Sequence, residues 1–529
     1  MYSLASVSRK PFVQVAYLSI LALLIHAIVL KFIFPGYYSP LFPHHSDFYI
    51  PVALAHSPDM FFQYKYLGHS RPLGILFLKL MGFLGIHGAI LFTIINVMIN
   101  CSLSATLLRR IAGIDFGWPF VLGYCLYCYL LFSQPYFYTF YTQDVLSHIS
   151  YFFLIAGASF FYKWHDSRRV LAYNILFCCS VIAFLCKETY GPAAIVFAFL
   201  WWWYYRKGGT ATAIAPLLLT GGALVAVLCF NIMIKSAFIN LEASTTDPYF
   251  INLKPGSVFK EFYLYAAEGL NFCNLVMIAL IGWLVVVYSR GTDKKGADTK
   301  GTDKKMSYLF WGCIVAAICS WIPNALIPNH HNGGYSFNGA YLLYLPIIFV
   351  PLLWGQRILV RCLAVVLCMA GLCSPLASPK AYAGQWWVLE QENTQRNLLH
   401  SLDSLMGGLK AAGPGQSILV TGLTMPFYPF HHPMALESFP DSKLATYDVV
   451  NYSLTTKKER DYPVKFVGPA DVQLTDYSAV WMFAGNGSLI RDLAMDTAVL
   501  QRIVKNNGRD LVLYPDSAKN RQLALIIAK

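Results

Sequence analysis

Long apolar runs alternate with short polar connections through the first 375 or so residues of the chain. Most runs hold about 20 residues, which is the length that crosses a hydrocarbon core of about 30 Å. The first run is too long for the apolar region of a signal peptide, so we interpret it as a retained span. The pattern predicts about eleven transmembrane helices, near residues 12–34, 84–107, 117–134, 146–162, 170–186, 190–205, 211–236, 266–289, 307–327, 339–355 and 357–375.

The periodicity changes after residue 376. "SILVTGL", "YSAVWMF" and "DLVLYP" are short strand-like runs. "NTQRNLLHSLDSLMGGLKAA" and "SLIRDLAMDTAVLQRIVKN" repeat apolar residues at helical spacing. The chain is therefore predicted to be a polytopic α-helical membrane module, residues 1–376, followed by a small α/β extracytoplasmic domain, residues 377–529.

Composition and charge support this division. Only 13% of the 529 residues are charged and 57% are hydrophobic, which excludes an ordinary soluble protein. Cationic residues cluster in alternate connections, and the positive-inside rule assigns those connections to the cytoplasm. The clusters lie at Arg9/Lys10, Arg109/Arg110, Lys163/Arg168/Arg169, Arg206/Lys207, Arg290 to Lys305 and Arg357/Arg361. The chain should thus lie in the cytoplasmic membrane, with its N-terminus inside and its C-terminal domain outside.

The net charge of +13 belongs to this topology pattern. The tail carries 15 basic and 14 acidic residues, so nearly all the excess lies in the membrane module. We therefore expect membrane lipids as surroundings and no nucleic-acid partner. The repeat "GTDKKGADTKGTDKK", residues 291–305, predicts a flexible cytoplasmic loop.

The thirteen cysteines do not indicate a disulfide framework or a metal site. All lie between Cys101 and Cys373, inside or beside apolar runs. Cys125 and Cys128 have the spacing of a CxxC motif, but they lie mid-span among Tyr and Leu, which favours packing.

Ionisable residues concentrate in the segments predicted to face outward. Such residues are costly near a bilayer, so each is a candidate for function. The first outer segment contains His44, His45, Asp47, Lys65 and Arg71; the second contains Asp144 and His148; the third contains Lys187 and Glu188; the fifth contains His330 and His331. Together they predict one site at the outer membrane interface.

Three short motifs resemble the GT-C superfamily of integral-membrane glycosyltransferases, which includes protein mannosyltransferases and the aminoarabinose transferase of lipid A. They are "HSDFYIPVALA" after the first span, "YKYLGHSRPLG" before the next, and "CKETYGP" between two short spans. The usual paired acids of the family are replaced here by Asp47 between Ser46 and Phe48. The resemblance implies transfer of a sugar from a polyprenyl-phosphate donor to a glycolipid, polysaccharide or protein acceptor.

The residue types fit such chemistry. Asp47 would accept the acceptor hydroxyl's proton as general base, and Lys65, Arg71 and Lys187 would neutralise the leaving phosphate. His44 and His45 would orient Asp47, contact phosphate or ligate a metal. No cofactor is required, and a divalent metal is left open.

Structural alternatives exist for each candidate. Asp47 and Asp144 could cap helices, Lys187 and Glu188 could form an ion pair that holds their turn, and His330 and His331 could be ordinary loop residues and not ligands. At the level of function, the alternatives are a flippase for a lipid-linked sugar and a glycan polymerase or ligase using a diphosphate-linked donor.

Overall fold

The computed structural model describes residues 11–32, 71–134, 145–205, 213–238, 254–269, 282, 297–327, 337–349, 386–421, 439–450, 464–467, 472–483 and 489. These residues form two compact units. The first comprises residues 11–32, 71–77 and 91–349, and the second comprises residues 78–90 and 386–489, in each case within the described ranges.

Helices dominate the first unit. In chain order they and the first helix of the tail are α1 Pro11–Phe32, α2 Pro72–Gly82, α3 Gly85–Ala112, α4 Trp118–Phe132, α5 Val145–Trp164, α6 Arg169–Cys186, α7 Gly191–Tyr205, α8 Ala215–Phe238, α9 Pro255–Gly269, α10 Ala297–Ser320, α11 Ile322–Ala325, α12 Phe337–Leu343 and α13 Trp386–Ala412. Several of them have proline in the first turn, where its missing N–H breaks no helical hydrogen bond.

Among the described residues, five helices are long and apolar enough to cross a membrane. They are Pro11–Phe32, Gly88–Ala112, Val145–Trp164, Arg169–Cys186 and Tyr308–Ala325. Shorter apolar helices include α4 and parts of α8 and α12. A helical membrane protein is therefore supported, whereas the count of eleven crossings stays a prediction. The predicted spans at 357–375 and most of 266–289 lie outside the described residues.

Two features of the first unit differ from the sequence predictions. The charged repeat was predicted to be a loop through Lys305, but α10 already begins at Ala297. A helix propagates more easily than it starts, so the apolar span extends backward into Lys- and Asp-rich sequence. Helices α2 and α9 were not predicted, because both are shorter than a membrane span.

The helices of the first unit pack through neighbouring pairs, chiefly α5 with α6, α6 with α8, α7 with α10, α10 with α12, and α1 with α4. Close approach depends on small residues. A Cβ on Gly123 of α4 would overlap the backbone carbonyl of Ile348, and one on Gly157 of α5 would lie 2.7 Å from the Cβ of Cys179 in α6. Small residues are common where membrane helices pack, because they let the backbones approach closely enough for van der Waals attraction between the helices.

The tail forms a four-stranded parallel sheet behind helix α13. The strands are β1 Gln416–Thr421, β2 Ala445–Val450, β3 Val464–Val467 and β4 Ala479–Met482, in the spatial order β3-β2-β1-β4. Helix α13 ends where Gly413 adopts a φ of +81°, a conformation that glycine reaches without steric cost. The predicted strands at "SILVTGL" and "YSAVWMF" and the helix before them are confirmed. The predicted strand "DLVLYP" and last helix lie outside the described residues.

Apolar side chains cover both faces of this sheet. On one face Leu398, Leu402 and Met406 of α13, spaced one helical turn apart, pack on a buried layer that includes Ile418 and Tyr447. On the other, Tyr477 donates a 2.8 Å hydrogen bond to Asp448. Burial, together with this hydrogen bond and the nearby carboxylates, raises the pKa of Tyr477. The α/β class predicted for the tail is thus confirmed for the described residues between 386 and 489, and the predicted boundary at 376 lies outside the described residues.

Candidate functional site

Four helix ends meet in the first unit: the starts of α2, α5 and α12 and the end of α6. In the predicted topology all four face outward. Their contacts join the first, second, third and fifth outer segments, which are far apart in sequence. The site described below consists of these ends and the buried side chains one turn beneath them.

The connection from α6 to α7 is a tight turn, as "CKETYGP" predicts. Lys187 leaves the helix in extended conformation, with φ −165° and ψ 131°, and Glu188–Tyr190 form one 3₁₀ turn. The Lys187 carbonyl accepts a 2.8 Å hydrogen bond from Ser150 Oγ of α5. Its side chain is only 6% exposed. This residue is therefore largely removed from solvent.

Arg71 forms an ion pair with Glu188. Its Nη2 donates to Glu188 Oε1 over 3.2 Å, and the two side chains are 15% and 27% exposed. The pair ties the residue before α2 to the turn after α6. Gly74 permits this approach, because a Cβ there would lie 3.0 Å from the Cys186 carbonyl oxygen. Lys187 directly precedes Glu188 in the chain and is the second basic residue at this helix end.

A buried polar cluster lies beneath the turn. His148, which was assigned to the second outer segment and also falls within the predicted span 146–162, lies in the first turn of α5 and is fully buried. Its Nδ1 is 3.3 Å from the Tyr341 hydroxyl of α12, and its backbone carbonyl accepts a 2.9 Å hydrogen bond from Asn100 of α3. The hydrogen bonds of His148 and Ser150 give buried polar groups a partner inside the protein, which compensates for their loss of contact with water.

Tyrosines connect the cluster to the turn. Tyr151 stacks on Tyr341 at 4.9 Å and an interplanar angle of 16°, and it lies 4.9 Å from the ring of Tyr190. The Tyr190 hydroxyl donates to Asn338 Oδ1 over 3.2 Å. Ser104 of α3 lies 2.8 Å from the Tyr151 hydroxyl. The turn, α3, α5 and α12 are therefore joined by side chains that are connected partly by hydrogen bonds and partly by ring contacts.

The structure brings together part of the predicted site. Arg71, Lys187 and Glu188 meet as described. The other predicted site residues lie outside the described residues: Asp47, His44, His45, Lys65, Asp144, His330 and His331. Within the described ranges, no group of three His, Cys, Asp or Glu side chains is arranged to hold a metal ion.

Sequence reasoning missed Asn100, Asn338 and Tyr341. Each is polar and lies inside or at the edge of an apolar run, a pattern that marks a candidate for function. They were not among the candidates because the candidates were chosen by charge, and amide and phenol side chains are neutral at pH 7. Their roles depend on partners in other helices, which the sequence does not reveal.

The fold defines a class, a helical integral-membrane protein with a small parallel α/β unit. No family model, curated protein or solved structure matches the chain.

Proposed function

We propose that the protein is a membrane glycosyltransferase. It moves a sugar from a polyprenyl-phosphate-linked donor to a glycolipid, polysaccharide or protein acceptor on the outer face of the cytoplasmic membrane. Asp47 accepts the proton of the acceptor hydroxyl while the hydroxyl oxygen forms a bond to the anomeric carbon of the sugar. The bond from that carbon to the donor phosphate breaks, and the phosphate leaves with the electron pair.

One observation carries the proposal: Arg71 pairs with Glu188, the residue that directly follows the buried Lys187 in the turn after α6. Two cations and one carboxylate at a membrane-facing helix end leave an excess positive charge where an anionic leaving group would need stabilisation. Glu188 orients the Arg71 guanidinium and limits the cost of holding it partly buried. The early position of "HSDF" in the chain, after the first span, adds the carboxylate that proton transfer requires.

Asp47→Asn tests this assignment. The amide keeps the shape of the carboxylate but cannot accept a proton, so we expect transfer to fall at least about 100-fold. The purified full chain would be given a panel of synthetic polyprenyl-phosphate sugars with cell-envelope extract as acceptor. Release of polyprenyl phosphate and formation of a glycosidic bond would both be measured.

Asp59→Asn is the matched control, because Asp59 is a second carboxylate in the same outer segment. It should retain transfer and the same detergent-solubilised yield. Undiminished transfer by Asp47→Asn would overturn the proposal. Movement of the donor across a vesicle membrane without any new glycosidic bond would favour the flippase instead.

A further inference from the structure

A cavity of about 210 Å³ lies inside the first unit, between α3, α5, α6, α7, α8, α10 and α12. Its walls are almost entirely apolar. They include Leu107, Ile111, Ile155, Ala158, Leu176 and Ala194. A dry apolar cavity of about 150 Å³ is enough to bind benzene, so this one has room for a segment of a single hydrocarbon chain.

The two ends of the cavity differ in exposure. At one end are Ser104, Tyr151 and Tyr190, which belong to the buried polar cluster and are 1%, 4% and 1% exposed. Toward the other end, Tyr308 of α10 is 43% exposed. The lining residues beneath the proposed catalytic site are therefore buried, and the exposed lining residue Tyr308 lies near the start of α10, which we take as the accessible end.

Cations surround the accessible end. Arg110 directly precedes the lining residue Ile111, and Lys163 directly follows the lining residue Tyr162. The Tyr162 hydroxyl donates a 3.0 Å hydrogen bond to the Arg110 carbonyl, which places the two cations at the same end. Arg168 and Arg169 begin α6, whose Leu176 also lines the cavity.

The charge balance at this end is positive. Among its described residues, the cations are Arg109, Arg110, Lys163, Arg168 and Arg169, with Lys300, Lys304 and Lys305 at the start of α10, and the carboxylates are Asp115, Asp166, Asp298 and Asp303. Arg109 is already engaged by the Ile114 carbonyl and Gln14. Asp166 is hydrogen-bonded to His165. Basic residues at the cytoplasmic end of membrane helices attract anionic lipid headgroups.

We infer that this cavity is a binding site for an anionic phospholipid of the cytoplasmic leaflet. A segment of one acyl chain lies in the cavity, and the phosphate contacts Arg110, Lys163, Arg168 and Arg169. The site is separate from the proposed transfer reaction and lies at the other end of the helices. It adds a lipid requirement to the protein, whatever reaction the outer end performs.

Filling the cavity tests the chain-binding part. The full-length protein would be delipidated in detergent, mixed with phosphatidylglycerol or phosphatidylcholine, and examined by native mass spectrometry. Wild type should retain one phosphatidylglycerol with at least about fivefold preference over phosphatidylcholine. Ala158→Leu places three more carbons in the cavity and should reduce retention of both lipids at least about fivefold. Ala156→Leu makes the same change two residues away, at a position that does not line the cavity, and should behave as wild type.

Removing cations tests the headgroup part. Arg168→Gln combined with Arg169→Gln should abolish the preference for phosphatidylglycerol and leave phosphatidylcholine retention unchanged. Equal retention by Ala158→Leu and wild type would overturn the site, and so would an undiminished preference in the double variant.

A third measurement needs no variant. Phosphatidylglycerol with a diazirine in its acyl chain should crosslink to lining positions such as Ile155 and Ala194. Crosslinks confined to the exposed Phe160 and Phe199 would instead mean an adventitious lipid on the outer surface of the helices, and would overturn the proposal even if the leucine variant failed to fold.

Discussion

At the residue scale, the feature that most needs a physical account is the Arg71–Glu188 pair. Charges removed from water lose hydration, and their mutual attraction compensates only when the geometry is good. Both side chains here keep partial access to their surroundings, at 15% and 27% exposure, so the cost of burial is limited. We therefore expect that substituting one partner destabilises the protein mainly because the other charge stays partly buried. The lost attraction between the two charges should contribute less.

A double-mutant cycle measures this pair. Arg71→Gln and Glu188→Gln should each destabilise the detergent-solubilised protein, because each removes the attraction between these two charges while the other charge stays partly buried. The double variant should recover part of the loss, which corresponds to a coupling free energy of about 1–2 kcal/mol. Thermal unfolding of the full chain measures the stability of each variant. The transfer activity of each variant is measured in parallel.

Asp166→Asn supplies the comparison for an exposed hydrogen-bonded carboxylate, since Asp166 is 96% exposed beside His165. Its effect should stay within about 0.5 kcal/mol. Additive effects of the two substitutions at Arg71 and Glu188 would show that the pair makes no coupled contribution.

At the scale of elements, close helix contacts depend on single glycines. Gly123 of α4 lies against the backbone of Ile348, and backbone cannot rotate away as a side chain can. This contact also fixes the segment that directly follows α12, the helix whose Tyr341 extends to His148. A change at Gly123 should therefore affect the buried cluster as well as helix packing.

Gly123→Ala should destabilise the protein by about 2 kcal/mol or more, because the added methyl overpacks a backbone contact. Gly222→Ala is the matched substitution in α8, where a Cβ would meet nothing within 4 Å. It should be neutral or stabilise the helix by up to about 1 kcal/mol. Thermal unfolding of the two variants, side by side in the same detergent, provides the measurement. Equal midpoints would contradict the close packing of Gly123.

At the scale of the whole molecule, the predicted orientation places the basic end of the helices inside and the tail outside. Reporter fusions check this. A phosphatase that is active only outside the cytoplasm should be inactive when fused after Arg168 and active when fused after Lys529. A fluorescent protein that matures only in the cytoplasm should give the opposite pattern. Activity of the phosphatase at both positions would overturn the topology.

Sequence pattern sufficed for most helices and for two strands. Apolar runs longer than about 17 residues have few alternatives to a membrane helix, and α1, α5 and α6 lie close to their predicted bounds. β2, "ATYDVV", escaped prediction because it is short and its alternating polar residues resemble a loop. α2 escaped because it is shorter than a membrane span.

The sequence by itself determined that this chain enters a membrane, that its tail is α/β, and that polar residues gather in the segments between helices. It did so because hydrophobicity and its period are local properties. Only the tertiary structure decided that Arg71 meets Glu188 across 117 positions of sequence, that His148 is buried against Tyr341, and that an apolar cavity separates the cluster from the basic end. Those contacts depend on how helices pack, which no local pattern encodes.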